Sequence, residues 1–344
     1  MKILVVGQGI AGGMLAWTLH HRGAQVHIVD AGLPGGSSTV AAGILNPITG
    51  KRFVKSWRYD EFYRTAESTY RSIGTSLGIS IWTEQPMLRL LGSAEEANNW
   101  STRCALDDYA DHMAETQSAG SWAPYIKPGF HIGLIKKAAR VHFDLLLDAW
   151  RKWAQQEGLF SDKIIDYPEI EKLSAAYDAI VCCEGFRGVE NPYFPDLPWQ
   201  IAKGEALLIR LTESPDAVLD KMLKKTMTLV PYGRNLFWAG GSYQWHYPDL
   251  EPSAGEREYI LRHLHEMLAV PFEIVDHLAG VRPTVKDRRP LLGQSKVNSK
   301  VFIFNGMGTK GALLAPFWAA HFCDYLIRGE ALDPEVDIRR VRVA

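Results

Sequence analysis

The chain has 344 residues, and its 38 Lys and Arg against 39 Asp and Glu give a formal net charge of −1. This balance leaves no basic field of the kind that grips nucleic acid along its length, and 47% apolar residues exclude a mostly disordered chain. Four cysteines without CxxC or other metal-ligand spacing exclude a disulfide scaffold, and no metal site is predicted.

Two apolar stretches bear on where the protein is found. A short apolar run follows Lys2 before a glycine-rich turn, and it is too short for the apolar region of a secretory signal. The longest mostly apolar run, 312–322, is shorter than the ~20 residues that span a bilayer. The sequence therefore predicts a cytoplasmic protein without a membrane span. At ~150 residues per domain, its length predicts about two domains, and the oligomeric state is left open.

The first thirty residues have the pattern of a strand, a tight turn, a helix and a second strand. An apolar run at 3–6 stops at the turn Gly7-Gln8-Gly9-Ile10-Ala11-Gly12, a helical stretch follows to about Arg22, and the alternating segment 25–30 ends in Asp30. This order of elements predicts the first βαβ unit of a dinucleotide-binding fold.

Each residue type in this unit has a physical role. Gly7 permits the turn, Gly9 lets the backbone approach a pyrophosphate, and Gly12 lets the helix pack closely on the strand. The helix N-terminus, at Ile10 and Ala11, attracts the phosphate charge. Asp30, followed by Ala31, accepts hydrogen bonds from an adenosine ribose. The motif predicts a dinucleotide but does not distinguish FAD from NAD, and a phosphate-free turn is the alternative.

The segment after the second strand is rich in small and hydroxylated residues. In such a segment, backbone amides and hydroxyls come within reach of a phosphate or a ring edge, and a flexible surface loop is the alternative. The run SSTVAAGILNP at 37–47 resembles the flavin-contacting segment of the D-amino-acid oxidase and glycine oxidase superfamily of FAD-dependent oxidoreductases. The resemblance implies that the flavin contacts Ser37, Ser38, Ala42, Gly43 and Ile44.

The C-terminal region carries the second half of this resemblance. The run GVRPTVKDRRPLLG at 280–293 precedes a predicted strand at 301–304, a glycine-rich turn at 305–311 and a predicted helix at 312–328. This order is similar to the closing segment of glycine oxidase and D-amino-acid oxidase, while an ordinary helix start is the alternative for the turn. The resemblance implies that the last helix points its N-terminus at the flavin, with Gly308, Thr309, Lys310 and Gly311 beside it.

Arg282 lies where amino-acid-oxidising members of this family place an arginine that binds the substrate carboxylate. A planar guanidinium suits a carboxylate because two N–H groups meet two oxygens. An ion pair with Asp287 is the alternative for this arginine. Tyr232 and Tyr243 are candidates for the pocket wall above the flavin, although aromatic residues on strands are more often core. The segment lacks the flavin-linking cysteine of sarcosine-oxidase-like relatives, which implies that FAD is bound non-covalently.

The middle of the chain contains two predicted strands, at 164–167 and 177–185, which return it to the cofactor and place Gly185 beside it. The resemblance implies an α/β plus antiparallel β fold. In this fold a Rossmann-like FAD-binding domain (1–80, 141–199 and 273–344) is interleaved with a smaller substrate domain on a mixed or antiparallel sheet (81–140 and 200–272).

The implied function is oxidation of an amino acid or secondary amine, with hydride transfer from the α carbon to flavin N5, hydrolysis of the imine, and reoxidation by O2 or another acceptor. The runs at 280–293 and 306–312 are also similar to the FAD domain of the bifunctional tRNA wobble-uridine enzyme. The basic-aromatic segment 51–58 suggests RNA, but the net charge argues against tRNA as the substrate. A flavin-binding protein without catalysis is the third hypothesis.

Overall fold

The computed structural model describes residues 1–116, 118–213, 218–233 and 235–341. Within these ranges the strands are β1 (Lys2–Val6), β2 (Gln25–Val29), β3 (Ile44–Leu45), β4 (Ile48–Thr49), β5 (Val54–Lys55), β6 (Trp82–Glu84), β7 (Met87–Leu91), β8 (Met113–Thr116), β9 (His131–Ile135), β10 (Ala139–Val141), β11 (Phe160–Ser161), β12 (Ala179–Cys182), β13 (Ala202–Leu211), β14 (Met222–Lys224), β15 (Thr228–Pro231), β16 (Leu236–Gly240), β17 (Phe272–Arg282), β18 (Leu291–Gln294) and β19 (Val301–Asn305). The helices are α1 (Ile10–His21), α2 (Tyr59–Leu77), α3 (Ala94–Cys104), α4 (Asp107–Ala110), α5 (Phe143–Gln156), α6 (Tyr167–Leu173), α7 (Ala254–Met267) and α8 (Gly311–Arg328).

One sheet carries the N-terminal βαβ unit. Across the described residues it has six strands in the order β11-β2-β1-β12-β19-β18, and all neighbours pair in parallel except β18 with β19. Its central strands are apolar runs buried on both faces, as parallel strands require. Helices α1, α5 and α8 pack on one face, and α6 packs on the other.

A second sheet is mixed. In the described part of the chain it has eight strands in the order β17-β13-β16-β15-β14-β7-β9-β8, and only β14 and β7 pair in parallel. Alternate residues of β13 point to opposite faces, so Leu207 and Ile209 pack in one apolar cluster with Ile260 and Leu264 of α7, whereas Ala206 packs in the cluster on the other face. This second face is turned toward the segment after β2.

The predicted α/β plus antiparallel fold is confirmed. The domain limits stay a prediction. Strand β17 pairs with β13 and so belongs to the eight-stranded sheet. The strand predicted at 164–167 is wrong, because no strand covers these residues and α6 begins at Tyr167. The Asp166 side chain accepts a hydrogen bond from the Glu169 backbone N–H at 2.8 Å, and Pro168 lies in the first turn, so local capping favours a helix.

No helix among the described residues is both long enough and apolar enough to cross a membrane. Those same residues contain no group of three or more His, Cys, Asp or Glu side chains arranged to hold a metal ion.

Candidate active site

A cavity of about 680 Å³ lies at the carboxyl ends of β1, β2 and β12, and strands β13, β16 and β17 form another part of its wall. This volume is in the range of small-molecule and cofactor sites. Most of the predicted site residues line it: Gly7, Gly9, Ile10, Ala11, Asp30, Ala31, Ser37, Ser38, Ala42, Gly43, Ile44, Gly185, Tyr243, Arg282, Gly308, Thr309 and Gly311. Gly12, Tyr232 and Lys310 lie behind this lining.

The turn after β1 opens the N-terminus of α1 to the cavity. Gly7 has a φ of +100°, and a Cβ on Gly12 would lie 1.8 Å from the Gly7 carbonyl oxygen, so the helix starts immediately after the turn. Its N-cap is Gly9, which has no side chain to cap the helix, and no acidic residue lies in the first turn. The Ile10 N–H donates to Ser38 Oγ at 3.0 Å. The positive helix end therefore faces the cavity without a carboxylate in its own first turn.

Asp30 is held by three donors at the end of β2. Its Oδ2 accepts from the Gln8 backbone N–H at 2.6 Å, and its Oδ1 accepts from the Gly32 N–H at 2.7 Å and from Arg151 Nη2 at 2.7 Å. Arg151 also lines the cavity, and its guanidinium lies 4.7 Å from the centre of the Phe160 ring. Sequence reasoning missed Arg151, because a single arginine on a helix carries no motif.

The segment after β2 is anchored on both sides. Gly43 has a φ of +69°, and a Cβ there would lie 1.9 Å from the Val141 carbonyl oxygen, so only glycine fits against β10. The Val281 N–H donates to the Gly35 carbonyl at 2.9 Å, and Trp238 Nε1 donates to the Val40 carbonyl at 2.9 Å. These bonds hold the segment against the eight-stranded sheet and contradict the flexible-loop alternative.

The N-terminus of α8 meets the N-terminus of α1. A Cβ on Gly311 would lie 2.9 Å from Ile10 Cγ2, and Gly308 lies in the left-handed region with a φ of +55°. Two positive helix ends thus approach the same cavity. Lys310 Nζ donates to Ser56 Oγ at 3.2 Å, and burial, with smaller contributions from two nearby arginines, lowers the pKa of this lysine.

Glu184 is an acidic lining residue that the sequence did not single out as a contact. Its Oε2 accepts from Asn191 Nδ2 at 2.7 Å, and burial raises the pKa of its carboxyl group. On the next residue, the Gly185 carbonyl accepts from Asn305 Nδ2 at 2.9 Å. These bonds give the buried polar groups of this wall partners within the protein.

Arg282 lies at the other end of the cavity in a cradle of glycines. Its Nη1 donates to the Ser242 carbonyl at 2.9 Å, and a Cβ on Gly204 would lie 2.0 Å from its Nη2. No carboxylate of the described residues lies within 4.0 Å of it, and Asp287 pairs instead with Arg340 at 2.8 Å. The ion-pair alternative is therefore wrong. Burial lowers the pKa of the Arg282 guanidinium.

The two candidate tyrosines occupy different places. The Tyr243 ring centre lies 5.2 Å from the Arg282 guanidinium carbon, and the residue lines the cavity with 43% of its surface exposed. Its ring makes an edge contact with Trp245 at 4.8 Å. Tyr232 lies behind the wall, where the guanidinium of Arg140 stacks on its ring at 3.6 Å.

The residues present fit FAD. Two helix ends without carboxylates suit a pyrophosphate, the acid after β2 suits a ribose, and the glycine positions leave room for close approach of a ligand to the backbone. The roles of the individual residues remain predictions.

Comparison with known proteins agrees with this fit. The DAO family model, described as FAD dependent oxidoreductase, matches residues 2–325. The bifunctional tRNA 5-methylaminomethyl-2-thiouridine biosynthesis protein MnmC of Idiomarina loihiensis is 24% identical over 92% of this chain, which spans only 54% of that protein. Glycine oxidase of Pseudomonas putida is 22% identical over 97% of this chain and 96% of its own length.

Among solved structures, the crystal structure of iminodiacetate oxidase from a Chelativorans species matches with a TM-score of 0.78 and 18% identity, over 97% of this chain and 98% of that one. This match confirms the fold, and the family model confirms the predicted superfamily and its FAD cofactor. The chain belongs to the DAO family of FAD-dependent oxidoreductases.

Proposed function

We propose that this enzyme oxidises an amino acid or a secondary amine that carries a carboxylate, at the carbon next to the nitrogen. The observation that carries the proposal is Arg282, a partly buried cation that lines the cavity and has no carboxylate partner among the described residues. An unpaired charge that is removed from water costs free energy, and an anionic substrate group offsets that cost.

When bound, FAD supplies the acceptor for the hydride that leaves the α carbon. Arg282 binds the carboxylate through its planar N–H groups, and its Nη1 bond to the Ser242 carbonyl fixes the plane in which the carboxylate is held. Tyr243 covers the guanidinium and limits access of water to that ion pair. A neutral amine needs no side-chain base, and water hydrolyses the imine product. O2 or another small acceptor takes up the electrons.

The test is reduction of the flavin in anaerobic protein, followed by its visible absorbance band. Glycine, sarcosine, proline and D-amino acids are the probes, and we expect at least one of them to bleach the band. For that substrate, Arg282→Met should lower kcat/KM by about 10²–10³-fold, because a buried charge pair loses one partner.

Arg210→Met is the matched control, since Arg210 lies on the same sheet in an exposed pair with Glu273 at 2.9 Å. Equal turnover by Arg282→Met and the wild-type enzyme would overturn the role of Arg282. A band that neither these amines nor iminodiacetate bleaches would overturn the proposed class of small amine substrates.

A second candidate substrate is a modified tRNA, and the match to MnmC over 92% of the chain favours it. A carboxymethylaminomethyl-uridine is itself a secondary amine with a carboxylate, so the role of Arg282 would be the same. Against it, two cations of segment 51–58 are already paired, Lys55 with Asp60 at 2.7 Å and Arg58 with Glu61 at 2.6 Å. Bleaching by tRNA that carries this nucleoside, with none by the free amines, would establish this candidate.

A further inference from the structure

Thr228 is a second polar position in the cavity wall. It lies on β15, is 5% exposed and lines the same cavity as Arg282. Its Cα is paired with that of Gly240, which is paired in turn with that of Ala206, and both of these small residues also line the cavity. Thr228 therefore lies two strands from β13, and neighbouring strands are about 4.8 Å apart.

Arg282 contacts the same floor from its other side. Its guanidinium packs against Gly204 of β13 and against Gly241, where a Cβ would lie 2.9 Å from Nη2. Because Gly241 directly follows Gly240, the Thr228 hydroxyl and the Arg282 guanidinium lie on two sides of the same floor. The Trp238 ring packs on this floor, where a Cβ on Gly240 would lie 2.7 Å from it, and it also lines the cavity.

Lys224 supports the Thr228 hydroxyl from the next strand. The two residues are paired in the β14–β15 register, and Lys224 Nζ donates to Thr228 Oγ1 at 3.0 Å. Since the oxygen accepts from an ammonium, its own O–H is left to donate to a ligand. No carboxylate among the described residues pairs with Lys224, and Arg89 is its register partner on β7. Arg89 itself lies 3.7 Å from the Glu96 carboxylate, so Lys224 is the cation of this pair without an acidic partner in the described part of the chain.

We propose that Thr228, supported by Lys224, binds a second carboxylate, so that the preferred substrate is a secondary amine with a carboxylate on each side of its nitrogen. The inference rests on the proposed function, in which Arg282 binds the first carboxylate. The Thr228 hydroxyl donates to the second one, and the ammonium behind it offsets the added charge. The oxidised bond and its products are those of the proposed reaction.

The experiment compares iminodiacetate with sarcosine, two secondary amines that differ by one carboxylate. In the holoenzyme, kcat/KM should be about 10–100-fold higher for iminodiacetate, as expected of a hydrogen bond to a charged group. Thr228→Val keeps the shape but removes the hydroxyl, and it should reduce this preference about tenfold. Thr228→Ser should restore the preference, and Lys224→Met should lower it.

Thr212→Val is the matched control, because that threonine is exposed and its hydroxyl donates to the Pro271 carbonyl at 3.2 Å, away from the cavity lining. Equal efficiency of the wild-type enzyme with both amines, or an unchanged ratio in Thr228→Val, would overturn the inference while the proposed function stands. If neither amine is oxidised but glycine or a D-amino acid is, only the inference fails. If no carboxylate-bearing amine is oxidised, both fail.

Discussion

The two ends of the cavity differ in the chemical groups that line them. At the end predicted to hold the cofactor, backbone amides and glycines form the wall, and the acidic side chains already have partners, Asp30 with Arg151 and Glu184 with Asn191. At the other end, the Arg282 side chain lines the cavity and Lys224 lies behind Thr228, and the partners of these two cations are a carbonyl oxygen and a hydroxyl.

This difference matches what each end has to recognise. A dinucleotide presents the same phosphates and ribose in every family member, and helix ends and glycine turns recognise these through the backbone itself. A substrate differs from one enzyme to the next, and its charge is matched by side chains whose own charge is not neutralised by the protein.

The largest effect should come from the backbone-lined end. In Gly12→Ala, the new Cβ would lie 1.8 Å from the Gly7 carbonyl oxygen, so the turn and α1 cannot keep their places. We expect purified protein without bound FAD, measured as flavin absorbance per chain. Gly255→Ala is the control, because nothing lies within 4 Å of a Cβ there. A yellow Gly12→Ala protein with full flavin content would contradict the prediction that this end of the cavity binds FAD.

The next effect concerns the buried charges behind the substrate end. Lys203 and Glu205 are each 1% exposed and 3.2 Å apart, and Glu205 also accepts from the Ser253 N–H at 2.9 Å. The pair lies on the part of β13 that holds the loop with Ser242 and Tyr243, where Ser242 Oγ accepts from the Glu205 backbone N–H at 3.0 Å.

Glu205→Gln should therefore lower the free energy of unfolding by about 3 kcal/mol, because the buried Lys203 loses its nearer carboxylate and keeps only Asp249 at 3.8 Å. It should also raise the KM for the amine, while the flavin content stays normal. Urea unfolding and steady-state kinetics measure both. In the control, Glu273→Gln breaks only an exposed pair and should change the stability by less than about 1 kcal/mol. Unchanged stability and KM would show that the pair does not support this end.

A smaller effect is expected for Asp30→Asn. The variant loses the charge in its bonds to Arg151 and to the Gln8 N–H, so FAD affinity should fall about tenfold, by analogy with other charged hydrogen bonds. Fluorescence titration of the apoprotein measures the Kd. Asp111→Asn, in an exposed pair with Lys137 at 2.8 Å, serves as the control. A change in the amine KM at saturating FAD, with no change in FAD affinity, would contradict a role of Asp30 in binding the cofactor.

The smallest effect is a pH dependence of stability. Burial, with a contribution from Arg89, lowers the pKa of Lys224 from 10.5 to about 8, so between these values the unfolded chain binds more protons than the folded one. Stability should rise with pH across that window relative to Lys224→Met, which cannot titrate. Urea unfolding at several pH values measures the difference. A constant difference between the two proteins would show that Lys224 keeps its ordinary pKa.

Sequence patterns predicted the N-terminal unit well, because its signal is local. The strand, turn and helix around Gly7 and Gly12 are where the glycine spacing predicted them, because clearance between neighbouring backbone segments depends on a few consecutive residues. The error at 164–167 was also local: the apolar run suggested a strand, whereas the Asp166 and Glu169 spacing is that of a helix cap. Arg151 and Thr228 gave no signal, since each acts through residues distant in the chain.

From the sequence alone, glycine positions and apolar periodicity predicted the dinucleotide-binding unit, because they express short-range steric requirements. The superfamily, the FAD cofactor and the fold class followed from the resemblance of two motifs to a known family. Only the tertiary structure decided that Arg282 lacks an ion pair and that Asp287 is held by Arg340. It also brought Thr228 and Lys224 to the cavity of Arg282. The physical reason is the register of strands β13 to β17, which places residues far apart in the chain on one face of one sheet.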